Sequence, residues 1–221
     1  MIAEELINQM IPPLKPSDSV RKATQWMEEL RVHQLPVIEN EQYCGLVSEE
    51  AIFQINEENA FVRDLELVGS NVYVFYHQHF YEILRLAALH NLQVIAVIGE
   101  EGNFLGVVTV NDTINAFAEF SFMQESGGIL VLLVNLRDYS LTEISRLVES
   151  NNARILSTHI NYDRDDPSKM RITLKIDKND LNRITATFER FNYQVIAKFH
   201  ASENPEMDKE RLDLLFRYLD I

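Results

Sequence analysis

Two short stretches decide how the first half of this chain folds: LPVI at residues 35–38, followed by GLVS at residues 45–48. They recur as IAVI at residues 95–98 and GVVT at residues 106–109, at offsets of 60 and 61 residues. The one inserted residue falls in the polar turn between the stretches, where insertions are tolerated. Repetition at a constant spacing is typical of a duplicated structural unit. The first half therefore contains two copies of one fold.

We predict a helix, a strand, a turn, a strand and a helix in each copy. In the first copy, apolar residues recur at helical spacing from Val20 to Leu30, and Ser17 or Ser19 offers an N-cap hydroxyl. The repeated stretches have the pattern of a hairpin. One such unit cannot bury both of its faces alone. The two copies are therefore expected to pack face to face, with pseudo-two-fold symmetry and two crevices between them.

The charge of the chain is unevenly distributed. The 221 residues carry a formal net charge of −14. Residues 1–127 hold 6 Lys and Arg against 19 Asp and Glu, whereas residues 128–221 hold 14 against 15. This change indicates two units that meet at Gly127-Gly128. An acidic surface also argues against nucleic acid or an anionic membrane as a partner, because both require clustered cations.

The expected compartment is the cytoplasm. Cys44 is the only cysteine, so the chain has no intrachain disulfide. Residues 1–6 are acidic and lack the basic and apolar regions of a signal peptide. The longest apolar run, at residues 129–134, is too short to cross a bilayer.

The second half alternates between strand and helix patterns. Residues 129–134 are typical of a strand that is central in a sheet or buried on both faces. Ser140 and Glu143 have the spacing of a capping box before a helix. The predicted strands lie at residues 129–134, 153–162, 170–177 and 193–199, with helices after the first and third. The order βαββαβ predicts a ferredoxin-like sheet backed by two helices, and hence an α+β protein.

The early helix, the Leu-Pro-Val-Ile strand and the Gly-x-x-Ser/Thr turn resemble a tandem CBS-domain pair, or Bateman module, over residues 10–117. The second half resembles an ACT domain, and the combination is similar to the small bacterial AcuB-type proteins associated with acetoin utilisation. The resemblance implies a non-catalytic, homodimeric sensor that binds a small-molecule effector and acts on an unidentified protein target. The expected segments are a first CBS repeat with a lead-in helix at residues 1–63, a second repeat at 64–127, an ACT-like domain at 128–202 and an amphipathic C-terminal helix at 203–221.

The resemblance also implies one nucleoside site. In the CBS family, the segment Gly-h-h-Ser/Thr-x-x-Asp (h, hydrophobic) binds a nucleotide, and the second copy keeps it at residues 106–112. Asp112 would bind the vicinal hydroxyls of ribose through its acceptor oxygens, and Thr109 would contact a phosphate. The first copy has Ala51 in place of the aspartate, so at most one intact site is implied. The candidate adenosine site also includes the apolar residues Val72, Ile95 and Val108.

A second interpretation of Thr109 and Asp112 needs no ligand. Threonine and aspartate at the start of a helix are common caps, with or without a bound molecule. If both crevices are degenerate, the chain is a structural adaptor that recruits a partner enzyme. Both interpretations stay open at this stage.

Charge favours some adenosine ligands over others. No Lys or Arg occurs between Arg85 and Arg137, whereas Glu100, Glu101 and Asp112 lie near the candidate site. We therefore expect AMP, adenosine or the cationic S-adenosylmethionine to bind in preference to ATP. No other cofactor is expected. Cations for a polyphosphate would have to come from Lys15, Arg21, Lys22 or Arg63, from a metal ion or from a partner subunit.

The ACT-like half offers a third interpretation. That family commonly binds amino acids at an Asp-x-x-Gly-type turn after the first strand; here Asp138 is present and Ser140 takes the place of the glycine. The turn therefore predicts either an amino-acid site or a structural, dimerising role. The chain lacks the nucleophile, phosphate-loop and zinc-protease motifs of common enzymes, so catalysis is not expected. His77 and His79 are expected in an exposed turn rather than in a metal site.

Overall fold

The computed structural model describes residues 1–55 and 60–199. It divides the chain into two compact units, Met1–Glu119 and Phe120–Ile221. The division therefore precedes the Gly127-Gly128 pair that the charge pattern indicated. The predicted C-terminal helix at residues 203–221 lies outside the described residues.

The first copy of the repeat contains α1 (Val20–Leu30), β1 (Gln34–Glu39), β2 (Gln42–Ser48) and α2 (Glu49–Ile55). Helix α1 begins after Ser19, whose hydroxyl oxygen accepts a hydrogen bond from the Lys22 amide at 3.2 Å. It ends at Arg31, which adopts a left-handed conformation and donates its amide to the Met27 carbonyl. The predicted helix is therefore confirmed, and its cap is Ser19 rather than Ser17.

The second copy contains β3 (Tyr73–Phe75), α3 (Phe80–His90), β4 (Val94–Ile98), β5 (Phe104–Thr109) and α4 (Val110–Ala118). Helix α3 ends at Asn91, which is also left-handed and donates its amide to the Ala87 carbonyl. The ends of α1 and α3 are thus alike. Strand β3 is too short for an alternating pattern, and the sequence did not predict it.

The strand pairing shows the pseudo-two-fold relation between the copies. Strands β1 and β2 are antiparallel with a bulge after Val37, and β4 and β5 have the same bulge after Val97. A third segment lies parallel to each hairpin, with Leu14 beside Val37 and Val74 beside Val97. These positions are related by the 60-residue offset of the repeated stretches.

The segment that precedes the first copy runs across the second copy, and the segment that precedes the second copy runs across the first. The predicted lead-in helix is shorter than expected, a single 3-10 turn at Ala3–Leu6. The chain then passes along the second copy, where Asn8 pairs with Val107. In the same way, Val68 pairs with Leu46 of the first copy. The first unit is therefore an interlocked pair rather than two successive domains.

The glycines of the repeated stretches allow this crossing. A Cβ atom at Gly106 would clash with Cγ2 of Ile7, and one at Gly45 would lie 3.0 Å from Cβ of Leu67. Such distances are shorter than van der Waals contact, so a side chain at either position would push the crossing segment away. Glycine is required here for close backbone approach.

The core of the first unit is shared by the two copies. The residues that the offset matches are buried in both, namely Val20, Ala23 and Met27 in α1 and Phe80, Ile83 and Ala87 in α3. The buried Gln34 side chain connects the copies, because its Oε1 accepts hydrogen bonds from the amides of Gln93 and Val94 at 2.9 and 3.3 Å.

The second unit contains α5 (Ser121–Gln124), β6 (Gly128–Asn135), α6 (Leu141–Glu149), β7 (Ile155–Tyr162), β8 (Lys169–Ile176), α7 (Asn182–Arg190) and β9 (Gln194–Phe199). The strand order is β7-β8-β6-β9, and every neighbouring pair is antiparallel. This is the ferredoxin-like arrangement of a βαββαβ chain. The protein is of the α+β class.

One face of this sheet is buried. On β6, Leu130, Leu132 and Val134 join a core with the apolar residues of α6 and α7, while the alternate residues stay partly exposed. The strand is central, as predicted, but it is not buried on both faces. Ser140 caps α6 by accepting a hydrogen bond from the Glu143 amide, whereas the Glu143 carboxylate pairs with Arg146 at 2.8 Å instead of completing the predicted capping box.

Across the residues that the structure describes, none of the helices combines the length and the apolar character that crossing a membrane requires.

Candidate ligand-binding site

Helix α4 begins at a reciprocal cap formed by Thr109 and Asp112. The Thr109 hydroxyl oxygen accepts a hydrogen bond from the Asp112 amide at 2.9 Å. In return, Oδ2 of Asp112 accepts hydrogen bonds from the Thr109 amide at 3.1 Å and from the Thr109 hydroxyl at 2.7 Å. The cap satisfies amides that would otherwise lack partners at the start of the helix. Both residues therefore have a structural role.

The crossing segment adds a third partner to this carboxylate. Nδ2 of Asn8 donates a hydrogen bond to Oδ2 of Asp112 at 3.0 Å. Within residues 1–55 and 60–199, all the hydrogen bonds of this carboxylate end on Oδ2 and none ends on Oδ1. A carboxylate can accept about four hydrogen bonds. The cap and the crossing segment therefore use only one of the two carboxylate oxygens of Asp112.

A cavity of about 600 Å³ lies beside this cap. It is formed by the start of α4, the end of α1, the first residues of β4 and the crossing segment around Asn8. Its volume is within the range of small-molecule sites. The lining consists of Asn8, Met10, Ile11, Glu29, Leu30, Arg31, Val32, His33, Gln93, Val94, Thr109, Val110, Asn111, Asp112 and Asn115.

The cavity carries charges of both signs. Arg31 and His33 line it from the end of α1, together with the acidic residues Glu29 and Asp112. Nδ1 of His33 lies 2.8 Å from Oε2 of Glu49, which orients the imidazole. The expected cations Lys15, Arg21, Lys22 and Arg63 are not among the lining residues.

The sequence motif does not identify Arg31 and His33 as site residues, because the motif lies in the second copy and these residues belong to the first. The signal that could have found them is the 60-residue offset, which matches them with Asn91 and Gln93. At both positions the first copy has a side chain that can carry positive charge and the second copy has an amide.

The three predicted apolar site residues lie in the core. Ile95 and Val108 are fully buried, and Val72 is 8% exposed. Among the described residues, they are absent from the lining of the cavity, in which Thr109 and Asp112 take part. Ile95 on β4, Val108 on β5 and Val72 therefore contribute to the hydrophobic core rather than to the wall of the cavity.

The first copy has the same helix start without the carboxylate. The Ser48 hydroxyl oxygen accepts a hydrogen bond from the Ala51 amide at 3.2 Å, as Thr109 does from Asp112. Two exposed carboxylates, Glu49 and Glu50, occupy the first turn of α2. This helix start offers no acceptor at the position of Asp112 and carries additional negative charge.

The predicted turn of the second unit also lies beside a cavity. This cavity has a volume of about 450 Å³ and is lined by Asp138, Glu143, Lys169 and Tyr193, among others. Burial, together with the carboxylates of Glu143 and Asp138, raises the pKa of Tyr193. The phenol therefore stays protonated at neutral pH. Ser140, by contrast, is occupied as the cap of α6.

The described residues contain no group of three or more His, Cys, Asp or Glu side chains that could hold a metal ion. His77 and His79 are exposed in the turn before α3, as predicted. Nδ1 of His79 accepts a hydrogen bond from the Tyr81 amide at 3.4 Å.

A family model described as the CBS domain matches residues 3–57. The chain contains a CBS domain. This CBS domain includes Asn8, Arg31 and His33 of the cavity, whereas Thr109 and Asp112 belong to the copy that repeats its strand register.

Several solved structures resemble parts of the chain. A CBS domain pair/ACT domain protein from Thermotoga maritima is 20% identical, with 54% of this chain and 98% of that chain covered at a TM-score of 0.49. Hypoxic Response Protein I with two coordinated zinc ions is 20% identical, with 52% and 98% covered at a TM-score of 0.46. CBSX2 in complex with AMP is 20% identical, with 53% and 96% covered at a TM-score of 0.46.

Proposed function

We propose that this protein is a non-catalytic, cytoplasmic regulatory protein that binds an adenosine-type ligand, AMP, adenosine or S-adenosylmethionine, in the cavity between its repeats. The observation that carries this proposal is the position of Asp112. Its carboxylate lines a cavity of suitable size, and the helix cap uses only one of its oxygens. A carboxylate oxygen held in place in this way is suited to the vicinal hydroxyls of a ribose.

Ligand binding would connect elements from both copies. The lining includes the end of α1 from the CBS domain, the crossing segment around Asn8 and the start of α4. A ligand that contacts all three favours the conformation in which they lie closest. We propose that this change shifts the arrangement of a homodimer and is read by a protein target. The shift cannot exceed the difference in ligand affinity between the two states.

The proposal is tested by isothermal titration calorimetry with AMP, adenosine, S-adenosylmethionine and ATP. We expect one ligand per chain and weaker binding of ATP, because Glu29 and Asp112 repel a polyphosphate. The Asp112→Ala variant should lose at least about tenfold in affinity, the value of one charge-assisted hydrogen bond. This variant should fold, because Ala51 occupies the same position in the first copy.

Glu50→Ala is the matched control, since it removes one carboxylate from the first turn of the related helix α2. It should bind as the wild type does. Absence of binding by all four compounds, or equal affinities of wild type and Asp112→Ala, would overturn the proposal.

The adaptor remains the second candidate, and the observation that favours it is Ala51. One of the two related helix starts lacks the carboxylate and carries Glu49 and Glu50 instead. If Thr109 and Asp112 act only as a helix cap, the chain acts through its surfaces alone. Failure of all four compounds in the calorimetric experiment would support this candidate.

The cavity of the second unit favours amino-acid sensing as a further candidate. Asp138 and Lys169 line it together and carry charges of both signs, as an amino-acid zwitterion does. A thermal-shift screen with the proteinogenic amino acids tests this function. A response that is lost in Asp138→Ala would support it, whereas a flat screen would exclude it.

A further inference from the structure

The sheet of the second unit has a second face, opposite its core. Leu130, Leu132 and Val134 of β6 belong to the core that α6 and α7 close. Side chains alternate along a strand, so the residues between them point to the opposite side. The strand register places on that side Ile129, Val131 and Leu133 of β6, Arg171, Thr173 and Lys175 of β8, and Ala197 and Phe199 of β9. We call these residues the outer face.

The outer face is apolar on β6 and β9 and cationic on β8. The three outer-face residues of β6 are all partly exposed. Phe199, which pairs with Ile129, is 58% exposed. Arg171 and Lys175 border this apolar strip on β8. An exposed apolar surface with a charged border is typical of a face that packs against another element.

Helix α5 already packs on one side of the outer face. The ring of Phe122 lies 6.2 Å from that of His159, which the register of β7 places beside Thr173. Nζ of Lys175 also donates a hydrogen bond to the Met123 carbonyl at 3.3 Å. These contacts involve β7 and β8, whereas the apolar strip lies on β6 and β9.

The described part of the chain ends at this strip. Phe199 is the last described residue, and residues 200–221 follow it. Their sequence has the start signal Asn204-Pro205 and then an apolar stripe at helical spacing. The stripe consists of Leu212, Leu215, Phe216 and Leu219. A helix over residues 205–221 would be about 25 Å long, which matches the length of about 26 Å expected for a strand such as β6.

The charges of the two surfaces are complementary. Residues 205–221 contain five acidic and three basic side chains. In a helix, Asp213 and Asp220 would lie on the same flank of the apolar stripe, because they are seven residues apart. The cations of the outer face, Arg171 and Lys175, lie on one side of the apolar strip. A helix that covers the strip can therefore place its acidic flank next to these cations.

We propose that residues 205–221 form an amphipathic helix that packs on the outer face of the same chain, with its apolar stripe against β6 and β9. The connection from Phe199 is only residues 200–204, so the entropy cost of bringing the helix to this face is small. The sheet would then have helices on both sides. This inference is independent of the proposed ligand and goes beyond the proposed function.

Differential scanning calorimetry of the full chain tests the packing. Leu215→Asp should lower the thermal midpoint of the second unit by at least about 4 °C, as expected when one buried leucine is lost. Leu214→Asp is the matched control, because it makes the same change one residue away, on the opposite side of a helix. It should leave the midpoint nearly unchanged.

Thiol alkylation by N-ethylmaleimide tests the location. In a Cys44→Ser background, Val131→Cys places a single thiol on the outer face. Adding Leu215→Asp should accelerate its alkylation at least about tenfold, whereas adding Leu214→Asp should not. Glu149→Cys, at the exposed end of α6, should react equally fast in all backgrounds, which distinguishes uncovering from general unfolding.

Three outcomes would overturn the proposal. If Leu215→Asp and Leu214→Asp have the same midpoint and the same alkylation rates, the stripe does not pack. If Leu215→Asp lowers the midpoint but leaves alkylation of the Val131→Cys thiol unchanged, the stripe packs on another surface. If light scattering shows that Leu215→Asp changes the oligomeric state, the stripe contacts a second copy instead of its own chain.

Discussion

At the start of α4, Asp112 accepts three hydrogen bonds through one oxygen and lines a cavity with the same side chain. Capping and ligand binding are thus compatible at this residue, because a carboxylate has more acceptor sites than the cap uses. Arg31 differs from Asp112, because its side chain does not stabilise the left-handed backbone conformation that the residue adopts. Residues with an unfavourable backbone conformation are often found at functional sites.

The strain at Arg31 leads to a stability prediction. Arg31→Asn should raise the free energy of unfolding by about 1 kcal/mol, because asparagine tolerates the left-handed conformation better. Asn91→Arg should lower it by a similar amount. Urea denaturation followed by circular dichroism measures both changes. Equal stability of all three proteins would show that the conformation at these helix ends is not strained.

At the scale of elements, the crossing segments join the two copies. The turn at Ala3–Leu6 and the residues after it pack on the second copy, while Val68 packs on the first. This exchange makes the CBS domain and its duplicate depend on each other for their cores. It also places Asn8 and Met10 in the lining of the cavity.

The close contact between Gly106 and Ile7 can be tested by a double-mutant cycle. Gly106→Ala should destabilise the protein by about 1–3 kcal/mol, the usual cost of overpacking. Combined with Ile7→Ala, it should destabilise by less than the sum of the single changes, because the shorter side chain relieves the clash. Gly102→Ala is strained by its φ of 81°, but its Cβ would meet only Gln42 at 3.4 Å, so Ile7→Ala should not relieve it and it serves as a comparison outside the crossing. Additive effects of Gly106→Ala and Ile7→Ala would contradict this explanation.

The loop between β7 and β8 predicts sensitivity to acid. The hydrogen bond from Arg171 lowers the pKa of Asp163, and hydrogen bonds from Ser168 and Lys169 lower the pKa of Asp166 to about 2. A lowered pKa in the folded state stabilises the protein above the ordinary aspartate pKa of about 3.9, and this contribution is lost as the pH falls through the folded value. Thermal stability should therefore decrease between about pH 4 and pH 2.

Asp163→Asn should remove part of the decrease in thermal stability at low pH. The variant should be less stable than wild type at pH 7 and nearly as stable at pH 2, where wild type has lost the contribution. Glu149→Gln, an exposed change at the end of α6, is the control and should follow the wild-type pH profile. A parallel decrease in wild type and Asp163→Asn would exclude this loop as the cause.

At the scale of the whole molecule, the chain consists of two units with separate cores and different charge. Most of the net negative charge belongs to residues 1–127, and the sheets of the two units are distinct. Each unit therefore has its own free energy of unfolding, which depends on its own buried apolar surface and its own charge repulsion. We expect differential scanning calorimetry to resolve two transitions, and AMP to raise the midpoint of only one of them.

Variants in the two cores show which unit unfolds in each calorimetric transition. Ile95→Ala and Leu132→Ala each remove a fully buried side chain, from the first and the second unit respectively, and each should destabilise its own unit by about 2–5 kcal/mol. AMP should then raise the transition that Ile95→Ala lowers. A single transition that both variants lower equally would contradict the independence of the units.

Much of the fold could be predicted from local patterns. The repeated stretches indicated two hairpins and two pairs of helices, and the order of elements in residues 128–202 indicated the ferredoxin-like sheet. Helical and strand periodicities are local properties, so they can be detected in a single sequence. The start of α4 was identified in the same way, through Thr109 and Asp112.

By itself, the sequence determined the duplication, the element types and one end of the candidate site. Only the tertiary structure decided that the segment around Asn8 crosses to the second copy, that Arg31 and His33 line the same cavity as Asp112, and that Val72, Ile95 and Val108 lie in the core. The physical reason is the range of the interactions. Periodicity and capping depend on neighbours within a few residues, whereas the cavity depends on packing between segments that are far apart in the chain.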